Sequence, residues 1–125
     1  MYTAAEARAV LEELRPVLAG LIEVRADLAE LGAAVQGGTP TALGGLPELK
    51  AAQARLDELL SAVVAAGPVV KGIAPLLLDF PSVLDGEPVL LCWLEGDAGL
   101  DWYHRADLGF AGRRPLPPSP SPSPS

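Results

Sequence analysis

Four side chains in this 125-residue chain could carry chemistry: Asp79, Cys92, His104 and Asp107. Asp79 interrupts an otherwise apolar run, Leu76-Leu77-Leu78-Asp79-Phe80. His104 is the single histidine and Cys92 the single cysteine. A metal site needs three or four ligands in close approach. Cys92, His104 and one or two of Asp79, Asp85 and Asp107 are the candidates. No Cys-x-x-Cys or His-x-x-x-His spacing supports them, so a metal is allowed but not called for, and no cofactor is expected. A cysteine nucleophile would pair Cys92 with His104 and an orienting aspartate. Cys92, however, falls inside an apolar strand, where attack on a substrate is awkward. A binding site is the more natural use. Trp93, Trp102, Tyr103 and Phe110 cluster in one short region. Aromatic faces with His104 and Arg113 suit a shallow pocket for a small anionic ligand, with Asp79, Trp93, Trp102, His104 and Arg113 as its candidate residues. Against all of these stands a purely structural use. Cysteine packs as a small apolar residue, a strand aspartate can cap backbone donors, one histidine can pair with a carboxylate, and the aromatics can form a mini-core.

The elements that must position these residues follow from patterning. Thr3 and Glu6 form a capping box that opens a helix over about 4–35. Leu11, Leu14, Leu18, Leu21, Leu28 and Val35 recur on one helical face. Arg25 falls where the next apolar residue would sit, with its stem packed and its head in water. Pro16 removes one hydrogen bond and predicts a kink rather than a break, because the apolar phase continues beyond it. Gly37 to Pro47 reads as a connecting loop; it lacks the Lys-Ser/Thr pair and the preceding strand of a phosphate-binding loop. A second helix is expected over about 48–66, with Leu49, Leu56, Leu59, Leu60, Val63 and Val64 on its apolar face. A short connection predicts an antiparallel helical hairpin.

After Gly67-Pro68 the pattern changes to strands over about 77–84, 87–94 and 100–105. Val69-Val70 also looks like a short strand. Asp85-Gly86 is the strongest hairpin signal in the chain, since both positions of a type I′ turn need positive φ. Val89 to Leu94 is apolar on both faces and reads as the central strand. Leu100, Trp102 and His104 share one face of the next strand, and Asp101, Tyr103 and Arg105 the other. Asp107 to Pro115 reads as a return segment that plugs Phe110 into the core. The fold class expected is α+β: an antiparallel two-helix hairpin packed with a three-stranded antiparallel meander, one domain over 1–115, and a disordered Pro/Ser tail over 116–125.

Composition narrows the function. The formal net charge is −7 and the only basic cluster is Arg113-Arg114, so nucleic-acid binding, which needs clustered cations, is not expected. No stretch approaches the about 20 apolar residues of a bilayer span, and no membrane partner is expected. One cysteine excludes an intrachain disulfide and fits a reducing compartment. The expected location is the cytoplasm.

Most of the chain resembles a known family. The residues that carry the resemblance are Leu78-Asp79-Phe80-Pro81, Asp85-Gly86, Val89 with Leu91-Cys92-Trp93, Gly96, Trp102 with His104, and Gly109-Phe110-Ala111-Gly112-Arg113 with Pro115. Thr3-Ala4-Ala5-Glu6-Ala7, Leu14-Arg15-Pro16 and Val70-Lys71 fit as well. Together they resemble the bacterial family catalogued as domain of unknown function 2203. The resemblance implies no activity. Members of that family typically follow the lysine with an acidic residue, where this chain has Gly72, and place a glycine where it has Leu76.

With no complete catalytic set, the leading expectation is a non-catalytic protein-interaction module. It would act through its helical hairpin on a protein partner or a second copy. The alternative is a metal- or ligand-binding domain centred on His104. An enzyme using Asp79, His104 and Arg113 comes third.

Overall fold

A computed structural model describes residues 1–39 and 41–117. Among the described residues two helices precede five strands: α1 (Ala4–Gly37), α2 (Leu46–Ala66), β1 (Val69–Ile73), β2 (Leu76–Leu84), β3 (Glu87–Leu94), β4 (Trp102–Arg105) and β5 (Arg114–Pro115). The class is α+β. Of the tail expected over 116–125, residues 118–125 lie outside the described residues. By its backbone contacts the chain forms two compact units, Met1–Ala9 with Pro68–Ser125, and Val10–Gly67.

In the unit Val10–Gly67, α1 runs unbroken through Pro16. Its buried residues include Leu11, Leu14, Leu18, Leu21, Val24 and Leu31. Past Leu21 this departs from the expected face. Leu28 is only half-buried and Val35 is exposed, while Val24 and Leu31 are buried instead. The reason is Arg25: burying a guanidinium is costly, so the helix turns its neighbour Val24 inward. Helix α2 begins two residues earlier than expected, because Pro47 sits in the first turn, where a missing N–H costs nothing. The Gly45 N–H donates to Glu48 Oε2 at 2.9 Å. Gly67 closes the helix in the left-handed region at φ 117°, its N–H donating to Val64 O. Leu59 and Val63 are its buried residues. A Cβ on Gly20 of α1 would lie 3.4 Å from Leu59 Cδ1, so the two helices approach closely there.

The other unit holds the sheet. All five strands pair antiparallel in the order β1-β2-β3-β4-β5. The expected meander of three strands is therefore too small by one strand at each edge. A bulge at Lys71 and a glycine at position 72 disguise the alternation of β1. β5 is two residues long and ends on a proline, so it has no pattern to read. β4 is also shorter than expected, since Leu100 lies buried in the preceding turn. The Asp85-Gly86 turn has φ 51° and 78°, as a type I′ hairpin requires. It sets the register Leu84↔Glu87 through Leu77↔Leu94. β3 lies in the middle, as expected from its apolar content.

The capping box is present: Thr3 N–H donates to Glu6 Oε1 at 2.9 Å and Glu6 N–H to Thr3 Oγ1 at 3.1 Å. These bonds hold the Glu6 carboxyl below its ordinary pKa. The N-terminal segment is tied to the sheet. Tyr2 N–H donates to Pro81 O, Ser82 Oγ donates to Tyr2 O, and Arg8 Nε donates to Leu100 O. The Tyr2 ring meets Phe80 edge-on at 5.3 Å.

Candidate functional site

Register decides which side chains share a face. Residues directly opposite across a ladder project to the same side. Asp79 pairs with Cys92 and Cys92 with Trp102, while His104 pairs with Leu90. Asp79, Leu90, Cys92, Trp102 and His104 therefore occupy one face. Trp93, opposite Leu78, lies on the other face with Phe80 and Leu91. Its indole N–H donates to Asp97 O at 3.0 Å. Of the five candidate binding residues, Trp93 is thus the one turned away from the rest.

Asp79 and His104 meet. His104 Nε2 lies 3.4 Å from Asp79 Oδ2, with both side chains more than nine-tenths buried. The other ring nitrogen, Nδ1, faces two carbonyl oxygens, Leu108 O at 2.8 Å and Arg105 O at 3.0 Å. A carbonyl only accepts, so Nδ1 carries a proton. Nε2 then faces Asp79 either as N–H toward a carboxylate or as a bare nitrogen toward a carboxylic acid. In either form a proton lies between Nε2 and Oδ2. Burial pushes the Asp79 carboxyl above its ordinary pKa, and His104 and Lys71 oppose that rise. Asp79 Oδ1 is buried and has no hydrogen-bond partner.

The pair lines a pocket of about 440 Å³, inside the size range of small-molecule sites. Leu77, Leu90, Leu108 and Phe110 supply apolar wall, and Lys71 and Asp107 contribute charge. Phe110 is 41% exposed. This corrects the expectation that it plugs the core. It opens a short 3-10 turn, Phe110–Gly112, and its ring lies 5.1 Å from the Arg113 guanidinium. Stacking on that cation holds the ring at the surface.

Arg113 stacks on Trp102 as well, at 4.4 Å, and donates to Asp97 Oδ1 at 2.9 Å. Asp97 Oδ2 also accepts from the Leu94 N–H at 3.0 Å. Nothing in the sequence singles out Asp97, and no local spacing announces this part-buried ion pair. Arg113 is not among the residues lining the pocket around His104.

The metal candidates lie apart in role. Asp107 is exposed and accepts two bonds from Arg105, at 3.1 and 3.2 Å. His104 spends Nδ1 on carbonyls, and Cys92 is fully buried. Among the described residues no three His, Cys, Asp or Glu side chains group so as to hold an ion. Burial pushes the Cys92 thiol up to about 11, only partly opposed by Arg113. At pH 8 the thiolate fraction is then about a hundredfold below that of an ordinary thiol. Iodoacetamide should therefore label native Cys92 at least about a hundredfold more slowly than urea-unfolded chain; comparable rates would show that the strand opens freely.

Among the described residues no helix is long and apolar enough to cross a membrane. No curated protein and no solved structure matches the chain. Residues 1–116 match the model of a family described as uncharacterized conserved protein (DUF2203), a match spanning both helices and every strand, and the chain belongs to that family.

Proposed function

We propose that this chain is a small-ligand-binding domain whose site is the pocket around Asp79 and His104. The observation that carries the reading is a buried, paired acid and histidine lining an open pocket with one acid oxygen left unpartnered. Buried polar atoms nearly always find a partner. A lone apolar core would have no use for either side chain, and burying both costs stability. Ala106 is an exposed residue of the pocket wall, so Ala106→Trp adds bulk to the pocket without touching the core. A chemically broad library screened by thermal shift should give compounds that raise the melting temperature of the native chain and not that of Ala106→Trp. A screen without such compounds, or with compounds indifferent to the tryptophan, would remove the reading.

A second reading, association through α1 and α2 as an antiparallel hairpin, draws support from apolar side chains left in water. Val64 is 61% exposed and Leu46 52% on α2. The occupant would be a second copy of the chain. Light scattering at tens of micromolar should then give a dimer mass that Val64→Glu halves; a monomer at that concentration would end this reading.

A further inference from the structure

Given the ligand-binding reading above, we propose that the ligand presents an uncharged hydrogen-bond donor, a hydroxyl or carboxamide N–H, to Asp79 Oδ1 and an apolar body to Leu77, Leu90, Leu108 and Phe110. Three observations lead there. Asp79 lines the pocket, and its Oδ1 is a buried acceptor without a donor. His104 cannot supply that donor, because Nδ1 is bound to Leu108 O and Arg105 O and Nε2 faces the other oxygen. A charged group brought to this buried oxygen would also have to shed its own hydration shell, so an uncharged donor is the cheaper partner for Oδ1.

The charged groups around the pair agree. Lys71 comes from β1, and Asp107 from the return segment lines the same pocket. Cys92, the strand partner of Asp79, is held as a neutral thiol. Arg113 does not line this pocket; Asp97 and two aromatic rings hold it, and its Nη1 is buried without a hydrogen-bond partner. A neutral donor satisfies Oδ1 without disturbing any of these. An unmet donor or acceptor in a buried site is what lets a protein reject the wrong analogue strongly.

The test uses His104 as its own reporter, since the chain has a single histidine and its imidazole signals need no assignment among others. The probes are benzyl alcohol, benzamide, benzylamine and benzoate, which share one apolar body. Titrations followed by the His104 ring resonances should show the alcohol and the amide binding at least about tenfold more tightly than the two charged compounds, a gap of about 1.4 kcal/mol. Asp79→Asn should keep that binding, because its amide can donate to Nε2 and leave an oxygen facing the ligand. Asp79→Leu, checked for a native melting curve, should lose it. Tighter binding of benzylamine or benzoate would overturn the proposed class while leaving the pocket reading intact. So would loss of alcohol and amide binding in Asp79→Asn. Should none of the four move the His104 signals, while other compounds still stabilise the native chain in the manner Ala106→Trp blocks, the class alone falls. If those also fail, both fall.

Discussion

Replacing His104 by alanine should destabilise the fold by about 3–5 kcal/mol at pH 7, the usual cost of stripping one partner from a buried ion pair. Asp79 is 2% exposed and keeps one oxygen without a partner even in the native chain. Removal of the imidazole leaves the second oxygen bare as well. The cost must depend on pH, and its sign follows from the direction of the Asp79 shift. A carboxyl raised in the folded state binds its proton more tightly there than in the unfolded chain. Its stabilising contribution is full below the unfolded value of about 3.9 and is lost as pH rises through the folded one. Without His104 the largest influence lowering that folded value disappears, so the penalty grows with pH. Urea unfolding should give a smaller loss at pH 4 than at pH 7. Converting both residues to leucine should recover more than half of the deficit, since well-packed apolar replacements of buried pairs are often neutral or better. A loss below about 1 kcal/mol that is the same at both pH values would mean the pair contributes nothing to the fold.

Phe80→Ala should be of similar size, about 3–5 kcal/mol, for a different reason. Phe80 is fully buried and sits on the face of β2 opposite Asp79. Truncation empties a core position and removes the edge-on contact with Tyr2, itself worth about 0.5–1.5 kcal/mol. Phe80→Leu keeps most of the volume and should cost less than about 1.5 kcal/mol plus the ring contact. The urea midpoint should fall with an unchanged slope, because the surface exposed on unfolding stays nearly the same. If Phe80→Ala and Phe80→Leu shift the midpoint equally, the cavity explanation fails.

What could be read from the residues was what local chemistry dictates. Thr3 with Glu6 announces a helix start because the two side chains satisfy each other's orphan N–H groups. Asp85-Gly86 announces a hairpin because few other pairs accept two positive φ angles. Once that turn is set, the alternation of β2 and β3 follows, and with it the placing of Asp79 beside Cys92. The single histidine and the aspartate within an apolar run were visible as candidates, and pairing with a carboxylate was one foreseen use of His104. Their meeting was not deducible, because it depends on how far β4 slides along β3 after the turn at Gly96. Arg113 and Asp97 are sixteen positions apart and look like any surface pair in sequence. Of the edge strands, β1 was legible only at Val69-Val70, before its bulge, and β5, two residues long, had no pattern to read. Val24 in place of Arg25 is a competition between neighbours that a face projected from spacing alone leaves undecided.

Because each strand bonds to the one that precedes it along the chain, the ribbon can be assembled by successive zippering, hairpin upon hairpin. Segments brought together this way enclose short loops, and the entropy lost in closing them is small. Low contact order of this kind favours rapid acquisition of structure. The bonds of the N-terminal segment are the exceptions: Tyr2 to Pro81 closes a span of nearly eighty residues, and Arg8 to Leu100 one of 92. Fastening the beginning of the chain to β2 is then a late event, governed by a search over distance rather than by any neighbour's help.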